Sequence, residues 1–84
     1  MLIEKDIISG LKEILLTIDP NKKDIVDKAN RETRLIEDLG LASISLLYFV
    51  IAIEEKFGIE FGDVGVNEFK NVGNAVDYIL AKAA

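Results

Sequence analysis

The sequence predicts an all-α fold, a four-helix bundle of three longer helices and one short helix with a long first loop. Three observations predict it. Apolar residues recur at steps of three and four in three separate stretches, and the one candidate strand is only a few residues long. Half of the 84 residues are apolar, enough for one small core. A single domain spanning residues 1–84 is therefore expected.

The first helix is set by Leu2, Ile3, Ile7, Ile8, Leu11, Ile14, Leu15 and Ile18, with Glu4, Lys5, Lys12 and Glu13 between them. Asp19-Pro20 ends it, because proline cannot continue the amide ladder and pushes the preceding residue toward extended backbone. Residues 19 to about 37 are polar, with Ile25, Val26, Leu35 and Ile36 as candidate anchors. So long a connection in so small a domain is expected to be functional or partly disordered.

Ile44 to Phe57 repeats the helical spacing, but with more apolar surface than one contact can bury. Leu46, Phe49, Val50, Ile53 and Phe57 form one stripe. Ile44, Leu47, Tyr48 and Ile51 form another, offset by roughly a quarter to a third of a turn. The second stripe is either packed by the long loop or exposed to a partner, with Tyr48 the member expected to be most exposed. Gly58, Gly62 and Gly65 punctuate the next segment, leaving room for a short helical turn at Asn67 to Lys70, and the alternation at Ile59 to Phe61 allows an isolated strand. Val72, Ala75, Val76, Ile79, Leu80 and Ala83 mark the last helix, with Asn71 as its N-cap.

Composition narrows the chemistry. With no cysteine and no histidine, disulfides, thiolate chemistry, the common zinc sites and Ser-His or Cys-His nucleophile pairs are all excluded. The longest apolar run, Leu46 to Ile53, falls well short of the roughly 18 residues of a membrane span. Residues 1–36 balance seven acids with seven bases, whereas residues 37–84 hold eight acids and three bases, so the net charge of −5 lies in the second part. That field argues against nucleic acid and favours a partner bearing Lys and Arg, although it also serves plain solubility. A cytoplasmic monomer is expected.

One stretch is more specific. Asp38-Leu39-Gly40-Leu41-Ala42-Ser43-Ile44, followed by a helix closing in Glu54-Glu55-Lys56-Phe57-Gly58-Ile59 and later by Asn71-Val72-Gly73-Asn74-Ala75-Val76-Asp77-Tyr78-Ile79, resembles the acyl carrier protein family over nearly the whole chain. The resemblance implies a bundle whose Ser43 hydroxyl receives 4′-phosphopantetheine from coenzyme A through a phosphopantetheinyl transferase. The thiol of that arm then carries an acyl group as a thioester. Such a chain is no enzyme itself, because the reactive sulfur belongs to the prosthetic group and the reactions to visiting enzymes. Fatty-acid or polyketide synthesis is the implied setting, with aminoacyl or peptidyl carriage as an alternative. Implied partners are acyl-transferring and acyl-modifying enzymes with basic or apolar docking patches, meeting Glu37, Asp38, Leu47, Tyr48, Ile51, Glu54 and Glu55. The family's bundle can also open around an acyl chain, for which Ile7, Leu11, Leu46, Val50, Ile53, Ile59, Phe69 and Ile79 are candidate lining residues and equally candidate core.

The residues support the resemblance physically. A serine where a loop enters a helix lies near free backbone amides and the positive end of the helix dipole, which suits a phosphodiester and equally suits capping. Gly40 permits the left-handed backbone such an entry can require. Ser45 lies inside the helix, two residues out of register, and Ser9 has no such context. The chain departs from the family at Ala42, where Asp is common, and at Ser45 and Tyr48, which are often acidic in fatty-acid carriers. Charge is thereby exchanged for apolar contact. An unmodified helical interaction module is the remaining alternative.

Overall fold

The computed structural model describes residues 3–62 and 65–83, and at Val66 the backbone alone. Leu2, placed by its spacing in the first apolar stripe, lies outside the described residues. Among the described residues four α-helices follow one another as α1 (Glu4–Ile18), α2 (Lys23–Asp27), α3 (Ser43–Phe57) and α4 (Val72–Ala83), with 3-10 turns at Pro20–Lys22 and Val66–Glu68. The only bridge of β type among the described residues is a single pair, Arg34 with Asn71. No strand forms at Ile59 to Phe61, because the Phe61 N–H donates instead to the Glu54 carboxylate at 2.9 Å.

The apolar spacing of α1 buries Ile7, Leu11, Ile14 and Leu15, and this face packs against both α3 and α4. Asp19 is extended (φ −145, ψ 94), as the following proline requires, and α1 stops there. The same residue begins the next element. Its carboxylate accepts the Asn21 N–H at 3.1 Å with Pro20 in the first turn, and the 3-10 turn runs directly into α2. The short helix thus lies within the first loop, and the turn expected at Asn67 to Lys70 is a 3-10 turn at Val66–Glu68.

Residues 28–42 have no helix, yet their backbone is tied down rather than disordered. The Leu35 N–H donates to the Lys70 carbonyl at 2.9 Å, Val72 N–H to the Thr33 carbonyl at 3.0 Å, and Gly73 N–H to the Arg31 carbonyl at 2.9 Å. Arg31 adds a charged clasp, reaching Glu4 on α1 at 2.6 Å and both carboxylate oxygens of Asp77 on α4 at 2.9 Å. Of the four expected anchors, Val26 and Leu35 are buried while Ile25 and Ile36 are exposed; Leu39 and Leu41 are buried as well.

α4 begins as expected. Asn71 Oδ1 accepts the Asn74 N–H at 2.7 Å, and Asn74 Oδ1 accepts the N–H groups of Asn71 and Lys70 at 3.1 Å each. This reciprocal pair satisfies amides that the helix start would otherwise leave open. Val72, Ala75, Val76 and Ile79 are buried, while Ala83, at the end of the expected stripe, is exposed because the helix has by then outrun the core.

Candidate functional site

The site is built by the turn that precedes α3. Asp38 and Leu39 N–H groups both donate to the Arg34 carbonyl at 3.1 Å, and Gly40 N–H donates to the Ile36 carbonyl at 2.9 Å. Leu39 and Leu41 plunge into the core on either side of Gly40, so the chain reverses there with φ +69. Only glycine adopts that backbone without strain. Ala42 then extends (φ −75, ψ 164) as the N-cap, and the first helical bond runs from Leu46 N–H to the Ala42 carbonyl at 2.9 Å.

Ser43 is therefore the first helical residue rather than the cap, and it is exposed. No side-chain hydrogen bond caps this helix start, so a capping role does not account for the serine. The N–H groups of residues 43–45 precede the first intrahelical bond, giving the entrance partial positive charge. Lys22 brings a full charge to the preceding turn, since a Cβ on residue 40 would lie 3.2 Å from its ammonium nitrogen. Ser9 is exposed on the outer face of α1, and Ser45 is half-buried in α3.

The acidic residues divide by role. The Asp38 carboxylate accepts the Arg34 backbone N–H at 2.8 Å and its guanidinium at 3.1 and 3.3 Å. These bonds from Arg34 hold Asp38 below the usual carboxylate range. Glu37 lies 3.8 Å from the same guanidinium. Glu54 is half-buried and spends a carboxylate oxygen on the Phe61 amide. Asp38 and Glu54 thus hold the fold together and are less free for a visitor than their position in the sequence implies, while Glu55 stays exposed.

The two stripes of α3 separate cleanly. Leu46, Phe49, Val50 and Ile53 are buried and Phe57 is half-buried, whereas Ile44, Leu47, Tyr48 and Ile51 are exposed, Tyr48 most of all at 60%. The exposed strip starts beside Ser43 and runs into a groove of about 660 Å³ between α1 and α3, walled by Ile14, Ile18, Tyr48, Ile51 and Ala52. The ion pair of Lys56 with Glu13, at 2.9 Å, stands at its edge. An exposed hydroxyl at a helix entrance thus lies next to a contiguous apolar surface.

Comparison with known proteins places the arrangement. The family described as "Phosphopantetheine attachment site" matches residues 11–79, which run from the second half of α1 through α2 and α3 into α4. The acyl carrier protein of Acidothermus cellulolyticus is 37% identical over 78 residues, covering 93% of this chain and 89% of that protein. The mitochondrial acyl carrier protein of Saccharomyces cerevisiae is 35% identical over 81 residues, covering 94% of this chain and 65% of that protein. The acyl carrier protein of Tropheryma whipplei is 47% identical over 49 residues, 58% of this chain and 60% of the relative. The chain belongs to the acyl carrier protein family, whose group is phosphopantetheine.

Two side chains at the site carry more than their sequence context suggests. Arg34 organises the Asp38 turn, and its i, i+4 spacing to Asp38 was the available signal. Lys22 approaches Gly40 across a sequence gap that no local pattern spans.

Proposed function

We propose that the chain is a carrier that bears 4′-phosphopantetheine on Ser43 and presents acyl thioesters to visiting enzymes, acting as their substrate and not as a catalyst. The observation that carries this reading is the exposed Ser43 hydroxyl, uncommitted to capping, directly after the Asp38–Gly40 turn. The surroundings fit a phosphodiester: the open helix amides would favour its negative charge, the Lys22 ammonium stands at the turn before them, and the serine is exposed. When bound, the group supplies the thiol that forms the thioester. The protein's own part is to hold the attachment point in a rigid turn and to offer a docking face.

Leu47, Tyr48 and Ile51, with Glu55 and Glu37 at the margins, form that face in this reading. Its apolar content favours partners with an apolar docking patch over purely basic ones. Residues 1–84 act as one carrier domain, as a monomer, with the cytoplasm as the proposed compartment; among the described residues no helix is long and apolar enough to cross a membrane. Fatty-acid and polyketide synthesis are the proposed settings.

Incubation with coenzyme A and a broad-specificity phosphopantetheinyl transferase, read by intact mass, tests the proposal. The expected result is a gain of one phosphopantetheine that disappears in Ser43→Ala. No gain, or a gain that persists in the variant, overturns it. The exposed strip also supports a second reading, an unmodified docking module, which predicts that Ser43→Ala binds a captured partner as well as the parent while Tyr48→Ala does not.

A further inference from the structure

A recess of about 540 Å³ opens beside the first turns of α3, lined among others by Leu46, Ile36, Phe69, Arg34, Asn67 and Asn71. Leu46 lies one helical turn beyond Ser43 on the same face, so the recess adjoins the proposed attachment point. Its rim is polar, and of its walls Phe69 alone is aromatic, backed by Phe61 and Tyr78 behind it. Phe69 and Phe61 are 1% and 2% exposed. Their ring centroids lie 5.1 Å apart at 69°, Tyr78 sits 5.1 Å from Phe69, and Phe61 and Tyr78 meet edge-on at 6.4 Å. Each ring rests on the other two, so one cannot swing aside without displacing both.

The backbone that carries these rings is pinned on both sides. Phe61 N–H donates to Glu54 at 2.9 Å, Lys70 N–H donates to Asn74 Oδ1 at 3.1 Å, and the Lys70 carbonyl accepts the Leu35 N–H at 2.9 Å. An alkyl chain passing from Ser43 into the bundle by this route would have to lift the cluster together with its anchors. A polar group would instead meet hydrogen-bonding side chains at the rim without disturbing the core.

We propose, on the reading that Ser43 carries the arm, that the Phe61–Phe69–Tyr78 cluster closes the bundle to long alkyl cargo. The cargo is then a short acyl group bearing a hydroxyl, amine or amide, held no deeper than the outer recess. The family's capacity to shelter a chain among its helices is, in this protein, blocked by Phe69 and the two rings that back it.

The test loads the protein with hydroxybutyryl, octanoyl or palmitoyl arms from the corresponding acyl-coenzyme A thioesters, using a broad-specificity transferase. In each case the Ser43 Oγ–P bond forms as the coenzyme's pyrophosphate linkage breaks. Adenosine bisphosphate leaves, the serine proton passes to solvent, and the thioester arrives intact. Intact mass confirms loading, and the thioester half-life is compared with that of the free acyl-coenzyme A. Octanoyl and palmitoyl thioesters are expected to hydrolyse within about twofold of the free thioesters, because water still reaches them. Phe69→Ala is expected to lengthen the octanoyl half-life by about fivefold or more once space is opened. Hydroxybutyryl loading is expected to shift the amide resonances of Asn67 and Asn71, and octanoyl loading to leave them in place. Wild-type protection of the octanoyl thioester by about fivefold or more, or absence of the Asn67 and Asn71 shifts, overturns the proposal. If Phe69→Ala does not fold, Phe69→Leu takes its place, and the wild-type half-life decides alone. A chain that gains no mass from any thioester refutes the arm and this inference together, whereas mass gain with octanoyl protection refutes this inference only.

Discussion

Asp38 sits two positions before the reversal at Gly40 and looks from its sequence like a docking charge. Its three bonds to Arg34 make it instead the staple of the turn that delivers Ser43. Because the folded state holds this carboxyl below its ordinary range, the turn is stabilised above the usual carboxylate pKa. That contribution fades as pH falls through the ordinary range toward the lower folded value. An NMR titration should show the Arg34 amide moving with a midpoint below that of an exposed aspartate, and Asp38→Asn should abolish the transition. A midpoint at the ordinary value would mean that the staple does not persist in solution. Gly73 makes a related point about what one residue's surroundings decide. A Cβ there would lie 3.1 Å from the Arg31 carbonyl oxygen and 3.3 Å from Asn71 Oδ1, and the carbonyl belongs to backbone that cannot swing away. Gly73→Ala should therefore destabilise by about 1–2 kcal/mol in urea denaturation, despite the roughly 1 kcal/mol by which alanine outranks glycine in a helix. Sequence showed only a small residue in a helix at that position.

Among the elements, those with long apolar periods were legible in advance, because burial of a stripe at helical spacing is the same fact that stabilises the helix. α1, α3 and α4 fall where the stripe ending at Ile18, Ile44 to Phe57 and Val72 onward place them, except that Ile3, counted in the first stripe, is the exposed N-cap of α1. α2 has only five residues and one buried side chain, Val26, too little for periodicity to register; Asp19-Pro20 was legible as a stop but served also as a start. The strip on α3 could not be assigned from sequence, since whether a second stripe is covered depends on where the loop travels. In the fold the loop turns inward with Leu39 and Leu41 and leaves Ile44, Leu47, Tyr48 and Ile51 uncovered. Leu47→Asp and Tyr48→Ala should thus weaken binding to a captured partner, each leaving the urea midpoint within about 0.5 kcal/mol of the parent's stability. At the other end of the bundle, Asn71→Ala removes the acceptor for the Asn74 amide and should lower stability by about 1 kcal/mol. The helix itself should survive, with amide exchange of Asn74 accelerated more than that of Ile79.

At the scale of the molecule, the first loop belongs to the core. The sequence marks it as polar and long, and that is true of its composition, but four of its apolar residues, Val26, Leu35, Leu39 and Leu41, point inward, while Ile25 and Ile36 stay exposed. Its backbone is bonded to the segment before α4, and Arg31 joins it to α1 and α4 together. These contacts link residues far apart in the chain, which is why no local pattern announced them. They also decide how the molecule opens. If the loop were an independent flap, the Leu35 amide would exchange quickly by local opening; tied to Lys70 across the fold, it should exchange only with the helices. Native-state hydrogen exchange is expected to give Leu35 and Val72 the same opening free energy as the interior amides of α1 and α3. Leu35→Ala, which removes a fully buried side chain, should cost about 2–5 kcal/mol. A domain of this length has only about 4–13 kcal/mol in hand, so the variant should lose a large share of its stability in one cooperative transition. A separate low-stability phase confined to residues 28–42 would show instead that the turn presenting Ser43 moves apart from the bundle, and the rigid presentation argued for this site would then have to be given up.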